Sequence, residues 1–143
     1  MSDRLPSDHD AVDTHRTHLK QVGRTGRPRV PLPSGVDVTV DDVVRLSLEG
    51  ETSHAQVVAG LDGSPEIRGA FANARLARTP GEGDDRLRPW VESVGLAIGD
   101  PVLVDVVTAG YKLGLRRPGE RVVYEATDAP SGSLADIARD LDG

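Results

Sequence analysis

No cysteine occurs in the 143 residues, so disulfides and thiolate chemistry are excluded, and structural zinc would need an all-histidine and carboxylate site. Aromatic residues make up 3% of the chain, with one Trp, one Phe and two Tyr, which leaves little with which to stack the bases of a single strand. Lysine is nearly absent: of the 17 basic residues only Lys20 and Lys112 are lysines. No apolar run approaches the roughly 18 residues of a membrane span, and the N-terminus has no apolar leader, so a cytoplasmic protein without a membrane contact is expected. There is no Gly-x-Ser-x-Gly, no phosphate-binding loop and no dinucleotide fingerprint. No catalysis and no cofactor are therefore expected.

What the chain does have is acid, mostly Asp, and Val. The formal net charge is −6. An Asp-heavy, Lys-poor composition with a small-residue core is what a halophilic cytoplasm favours, because carboxylates stay hydrated where salt screens charge strongly. The length suits one domain with one core.

Residues 1–18, MSDRLPSDHDAVDTHRTH, are polar, carry no apolar period and include Pro6, which predicts a mobile N-terminal tail. A barrel-like domain is expected over 19–127, and a linker with a C-terminal helix over 128–143. RPRVPLP (27–33) reads as a strand at a sheet edge, punctuated by proline. Val44, Leu46 and Leu48 alternate, a turn follows at Glu49-Gly50-Glu51, and a second run continues through Ala55, Val57 and Ala59. That predicts a hairpin pairing 43–48 with 53–58.

EIRGAFANARLAR (66–78) is ambiguous between strand and helix; Ile67 to Phe71 reads as a strand made irregular by Gly69, and TPGEGDD (79–85) as a loop. Leu87, Trp90, Val91 and Val94 recur at three- and four-residue spacing, which predicts about two helical turns closed by Gly95. Trp90 is expected to be buried against Leu96 and Ile98. Pro118-Gly119 predicts a type II turn, with 111–116 and 121–125 paired across it. Ser133 and Asp136 resemble a capping box for a terminal helix whose stripe is Leu134, Ile137, Ala138 and Leu141. Strands this short need closure to avoid bare edges. The expected fold is mainly β: a small closed or nearly closed (pseudo)barrel of six to seven strands, with one short internal helix and a C-terminal helix.

Two stretches run an acidic turn directly into a Val/Leu-rich strand: VTVDDVVRLSL (38–48) and VGLAIGDPVLVDVV (94–107). The second, with its preceding helix, resembles the strand start of the DNA-binding pseudobarrel proteins, the B3-like and bacterial transition-regulator (swapped-hairpin) families. The first resembles the other half of that pattern but has Asp41 where those families place glycine. The chain as a whole, through EIRGAFANARLAR, GLRRPGERVVYEA and SLADIARDLDG, resembles an uncharacterised haloarchaeal domain family. That resemblance implies a fold unit and a lineage, with no known activity.

The strongest functional feature is a basic run. Arg16, Lys20, Arg24, Arg27 and Arg29 lie between Thr14 and Val36 with no acid among them. Arginine forks onto phosphates and guanine edges, and Gly23 and Gly26 let the backbone come close. Arg68, Arg75 and Arg78 widen this face if the fold brings the two segments together. Lys20, Arg24, Arg27, Arg29, Arg68, Arg75 and Arg78 are therefore the candidate nucleic-acid contacts, for duplex DNA or structured RNA. His9, His15 and His18 with Asp10 and Asp13 can be drawn as a metal site, but a polar tail supplies no rigid outer shell, and no metal is expected. The competing reading is a protein-interaction or assembly module that uses the C-terminal helix and the acidic surface.

Overall fold

A computed structural model describes residues 4–125. Ten strands are present among them: β1 (Arg4–Pro6), β2 (Asp13–His18), β3 (Lys20–Gln21), β4 (Pro28–Pro31), β5 (Val43–Leu48), β6 (Glu51–Ala59), β7 (Pro65–Ile67), β8 (Pro101–Thr108), β9 (Lys112–Arg116) and β10 (Val123–Glu125). Two short helices, α1 (Ala74–Arg78) and α2 (Leu87–Ser93), lie between β7 and β8. Eight strands form one sheet in the order β2-β8-β9-β5-β6-β7-β4-β3, and β1 pairs with β10 as a separate ribbon. The two ends of that order, β2 and β3, are successive in the chain with only Leu19 between them, so the sheet curls into a nearly closed barrel.

Alternation dictates what the barrel encloses. Val44, Leu46 and Leu48 of β5, Ala55 and Val57 of β6, Val102, Val104 and Val106 of β8, and Leu113 and Leu115 of β9 all belong to one buried cluster. The β5–β6 hairpin forms, with Val43 opposite Gln56 and Leu48 opposite Glu51, so 43–48 pairs with 51–56 and not with the expected 53–58 because Glu51 belongs to the strand and not to the turn. Its turn is two residues, Glu49 (φ 52°) and Gly50 (φ 82°), the left-handed pair that matches strand twist. β5 is also parallel to β9, which sits between it and β8.

The two acidic turns are built alike. Asp42 and Asp100 each make a backbone bond three residues back, donating their N–H to the carbonyls of Thr39 and Ala97 at 3.0 Å. Each carboxylate accepts the N–H of the same residue, at 3.3 Å for Asp42 and 2.9 Å for Asp100. The N–H of Asp41 reaches the Val57 carbonyl and Val57 donates back to the Asp42 carbonyl; Gly99, Leu19 and Asp100 repeat that exchange.

One end of the barrel is covered by α2. Leu87, Trp90, Val91 and Val94 are buried, and Leu96 packs against the same cluster. Asp85 holds the start of this helix: its Oδ1 accepts the Leu87 N–H at 2.9 Å and its Oδ2 the Arg88 N–H at 3.2 Å. Gly95 (φ 74°) ends it, as expected of a left-handed cap. Ile98 does not join Trp90. It occupies the outward position of the Ala97–Asp100 turn and is 44% exposed.

Several further expectations are corrected. Residues 4–18 are not a tail: β1 pairs with β10 and β2 pairs with β8 over six residues. A polar sequence makes a strand there because backbone pairing needs no apolar side chain, and Thr17 is buried while Thr14, Arg16 and His18 face out. The barrel sheet therefore has eight strands and not six to seven. The Pro118-Gly119 turn forms, with Gly119 at φ 86° and the Glu120 N–H on the Arg117 carbonyl, but its flanks do not pair with each other. Both edges of β9 are already taken by β8 and β5, so β10 pairs with β1 instead. The strand expected over 67–71 ends at Ile67; beyond it Phe71 makes a single bridge to His54, and the helical alternative for this segment holds over 74–78, where Asn73 caps α1 by accepting the Leu76 N–H at 2.9 Å. The expected C-terminal helix lies outside the described residues.

Candidate functional site

Glu66 organises the basic face. It is 2% exposed on β7, next in sequence to the fully buried Ile67. Arg29 on β4 donates Nη1 to its Oε1 at 2.7 Å, and Arg68 donates Nε to its Oε2 at 2.5 Å. Two of the seven candidate residues are thus clamped on one buried carboxylate. Arg29 is fixed further by Nε on the Gln21 carbonyl. Lys20 stands directly across from Arg29 in the β3–β4 pair and is exposed.

Arg27 and Arg68 line a common cleft of about 250 Å³, with Gln56 and Val58 from the outer face of β6, Phe71, and Ala77 of α1. The β3–β4 segment and the 68–78 segment, distant in sequence, thus meet at this cleft. Arg78 follows Ala77 on α1 and is exposed. Arg24 is exposed in the turn between β3 and β4, where Val22 donates to the Arg27 carbonyl and Thr25 to the Val22 carbonyl. Arg75 is in an exposed ion pair with Glu82 at 2.8 Å, worth little in solution. Among the described residues Lys20, Arg24, Arg27 and Arg78 have no carboxylate at ion-pair distance.

Arg16 is on β2, on the far side of Leu19, paired across from Leu103 of β8. His9 accepts the Ala11 N–H, and the ring of His15 lies against Gly35, where a Cβ would meet it. Among the described residues no three histidine or carboxylate side chains come together in a metal-holding group. No helix of the described residues is long and apolar enough to cross a membrane.

Two polar constellations were not anticipated. The first is under the β1–β10 ribbon. Asp105, fully buried on the outward side of β8, accepts Tyr124 Oη at 2.5 Å, Arg116 Nε at 2.7 Å and Thr14 Oγ1 at 2.6 Å. Burial, then the hydrogen bond and charge of Asp105, push the Tyr124 hydroxyl far above its ordinary value. Burial alone would lower Arg116, but the Asp105 hydrogen bond and charge outweigh it and raise it. Gly114 makes room, since a Cβ there would overlap the Tyr124 ring. The readable signal was a lone acid inside VLVDVV, because a carboxylate in a buried run requires partners.

The second lies on the outer face of β5 and β6, where Arg45 and His54 are cross-strand partners. Arg45 donates Nε to the Tyr111 hydroxyl and approaches His54 Nε2 with Nη1 at 3.4 Å. On the opposite, inward side of β6, Arg86 from the loop before α2 donates Nη1 to the buried Ser53 Oγ at 3.3 Å. Burial lowers the His54 pKa from 6.5, the charges of Arg45 and Arg86 add to that, and the Ala72 backbone opposes it. Pairing register, which sets Arg45 across from His54, is not written in local sequence.

Residues 1–141 match a family of unknown function, DUF7112. No curated protein matches the chain, and no solved structure does.

Proposed function

The chain belongs to the DUF7112 family of unknown function, and from its own residues we propose that it is a nucleic-acid-binding module that grips the phosphate backbone of duplex DNA or structured RNA. The observation that carries this reading is the meeting of Arg27 and Arg68 in one cleft, with Lys20 and Arg29 paired beside it. Glu66 removes only part of the charge there. It holds two guanidinium groups in fixed positions while Lys20, Arg24, Arg27 and Arg78 supply charge at the surface. In a chain of net charge −6 such segregation of positive charge favours a polyanion. The shortage of aromatics, and the burial of Phe71, favour a duplex over a single strand. The resemblance of 90–107 to the DNA-binding pseudobarrel proteins agrees with this reading. The Asp-rich, Lys-poor composition further supports a haloarchaeal cytoplasm as its setting.

The test is the triple substitution Arg24→Gln, Arg27→Gln and Arg78→Gln, titrated with several DNA duplexes and structured RNAs at low and molar salt. Binding should weaken for every sequence, and the slope of log affinity on log salt should flatten by roughly 0.9 for each phosphate that the variant no longer neutralises. Unchanged affinity and slope overturn the proposal. A fully exposed Leu61 at the β6–β7 turn favours a second reading, an assembly module that also uses residues 128–143 and the acidic surface. Self-association or capture of a protein partner that survives the triple substitution supports that reading instead.

A further inference from the structure

A cleft of about 330 Å³ opens at the end of the barrel that α2 covers, between that helix and the β5–β6 turn. Leu48 and Ser53 of the hairpin and Trp90 of α2, all buried, form its inner part. Two hydrogen-bond donors of its lining residues lack an acceptor of matching strength. Arg86, half-buried, places Nη1 on Ser53 Oγ at 3.3 Å and has no carboxylate within ion-pair distance among the described residues. Trp90 is 4% exposed, and its Nε1 is buried without a partner among the described residues. Asp85 lines the same cleft but is engaged by the N–H groups of Ala70, Leu87 and Arg88. Buried donors are ordinarily satisfied, so an acceptor is missing here. The rim has the opposite character. Glu49 and Glu51 are exposed, and neither has a basic side chain within ion-pair distance among the described residues. Glu51 is on the same strand face as Ser53, two residues nearer the turn and directly across from Leu48. One strand repeat of about 7 Å therefore separates the acidic rim from the basic floor.

We propose that this cleft binds a free α-amino acid with a small uncharged side chain, its carboxylate inward on Arg86 and Trp90 Nε1 and its ammonium outward on Glu51 and Glu49. A lone anion would satisfy the floor but meet two glutamates on its way in, and a lone cation would leave Arg86 and the indole unanswered and sit beside a guanidinium. A molecule with both charges answers both ends. Spacing then selects among such molecules: a carboxylate and an ammonium on one carbon, each about 2.7–2.9 Å from its protein partner, bridge a gap of about 7 Å, whereas a longer spacer would push one end out of reach. A peptide terminus carries one of the two charges and fails for the same reason as a lone ion. The volume is at the low end of the roughly 300–1,000 Å³ of small-molecule sites, Leu48 and Pro89 offer apolar contact, and an acidic side chain would face the glutamates. The cleft shares no lining residue with the one that holds Arg27 and Arg68, and the proposal does not depend on the nucleic-acid reading.

The chain has one tryptophan, so its indole N–H resonance, followed in the nitrogen-labelled full chain, reports this cleft alone. L-alanine, L-serine and L-valine are titrated at neutral pH and matched ionic strength, each beside its N-acetyl derivative, which keeps the carboxylate, and its amide, which keeps the ammonium. At least one amino acid should move the resonance saturably at millimolar concentration or below, and its two single-charge derivatives should bind at least about tenfold more weakly, the loss expected of one charge-assisted hydrogen bond. Glu51→Gln and Arg86→Gln should each weaken binding by about tenfold or more, for the same reason, and Arg121→Gln should leave it unchanged. Glu51 is exposed, so its variant keeps the test decisive if Arg86→Gln does not fold. The proposal is overturned if none of the three amino acids gives a saturable shift, if a single-charge derivative matches its parent, or if Glu51→Gln keeps full affinity.

Discussion

Asp41 and Gly99 occupy the same position in the two acidic turns and share one backbone conformation, φ 83° and φ 98° respectively. The departure from glycine at 41 is therefore a change of side chain without a change of turn. Aspartate is among the few residues that tolerate the left-handed region, and it does so at a cost that glycine avoids. Gly99→Ala should lower the unfolding free energy by about 1 kcal/mol in urea titration, and Gly99→Val by more. Asp42→Ala and Asp100→Ala should each cost about 1 kcal/mol, because each carboxylate closes its turn through a backbone N–H. Equal stability of Gly99→Val and the parent chain would refute the equivalence.

Tyr124 fastens the β1–β10 ribbon to the sheet. Tyr124→Phe leaves Asp105 with Arg116 and Thr14 and should cost about 1.5–3 kcal/mol, the range for a hydrogen bond to a charged group. Asp105→Ala strands Arg116, which is nearly buried, and should cost about 3–5 kcal/mol. Denaturant midpoints at fixed salt measure both. If Tyr124→Phe proves the more damaging of the two, the carboxylate is not the centre of the network.

His54 gives stability a defined pH dependence. Its folded pKa lies below the 6.5 of the unfolded chain, so the unfolded state binds the proton more readily. The contribution is present above pH 6.5 and is lost as pH falls from there toward the folded pKa. In chloride buffer, His54→Gln should flatten the stability profile on that acid side and leave the alkaline side alone. A parent profile that falls as pH rises through this window would contradict the sign.

The sequence made the apolar half of the fold legible and concealed much of the polar half. Alternation placed β5 and β6, the Leu87–Trp90–Val91–Val94 spacing placed α2, and Pro118-Gly119 placed a turn, since each is a local pattern with a local cause. β2 was missed because DTHRTH has no apolar period, and the partner of β10 was missed because pairing is settled by which edges remain free. The candidate site divides in the same way. Its basic residues could be counted along the chain, but their meeting at Glu66 depends on three strands in register, and a glutamate before an isoleucine carries no sign of that.

The interruption at Leu19 bears on how the molecule comes into being. Its flanking strands are the two edges of the nearly closed sheet, and β2 leaves the ribosome well before its partner β8. Until residues 101–108 emerge, the nascent chain has an open sheet whose apolar interior faces the crowded cell. A first stave written as DTHRTH can wait in water without seeking the wrong neighbour. The polarity that makes it unreadable as a strand also guards it against aggregation during synthesis.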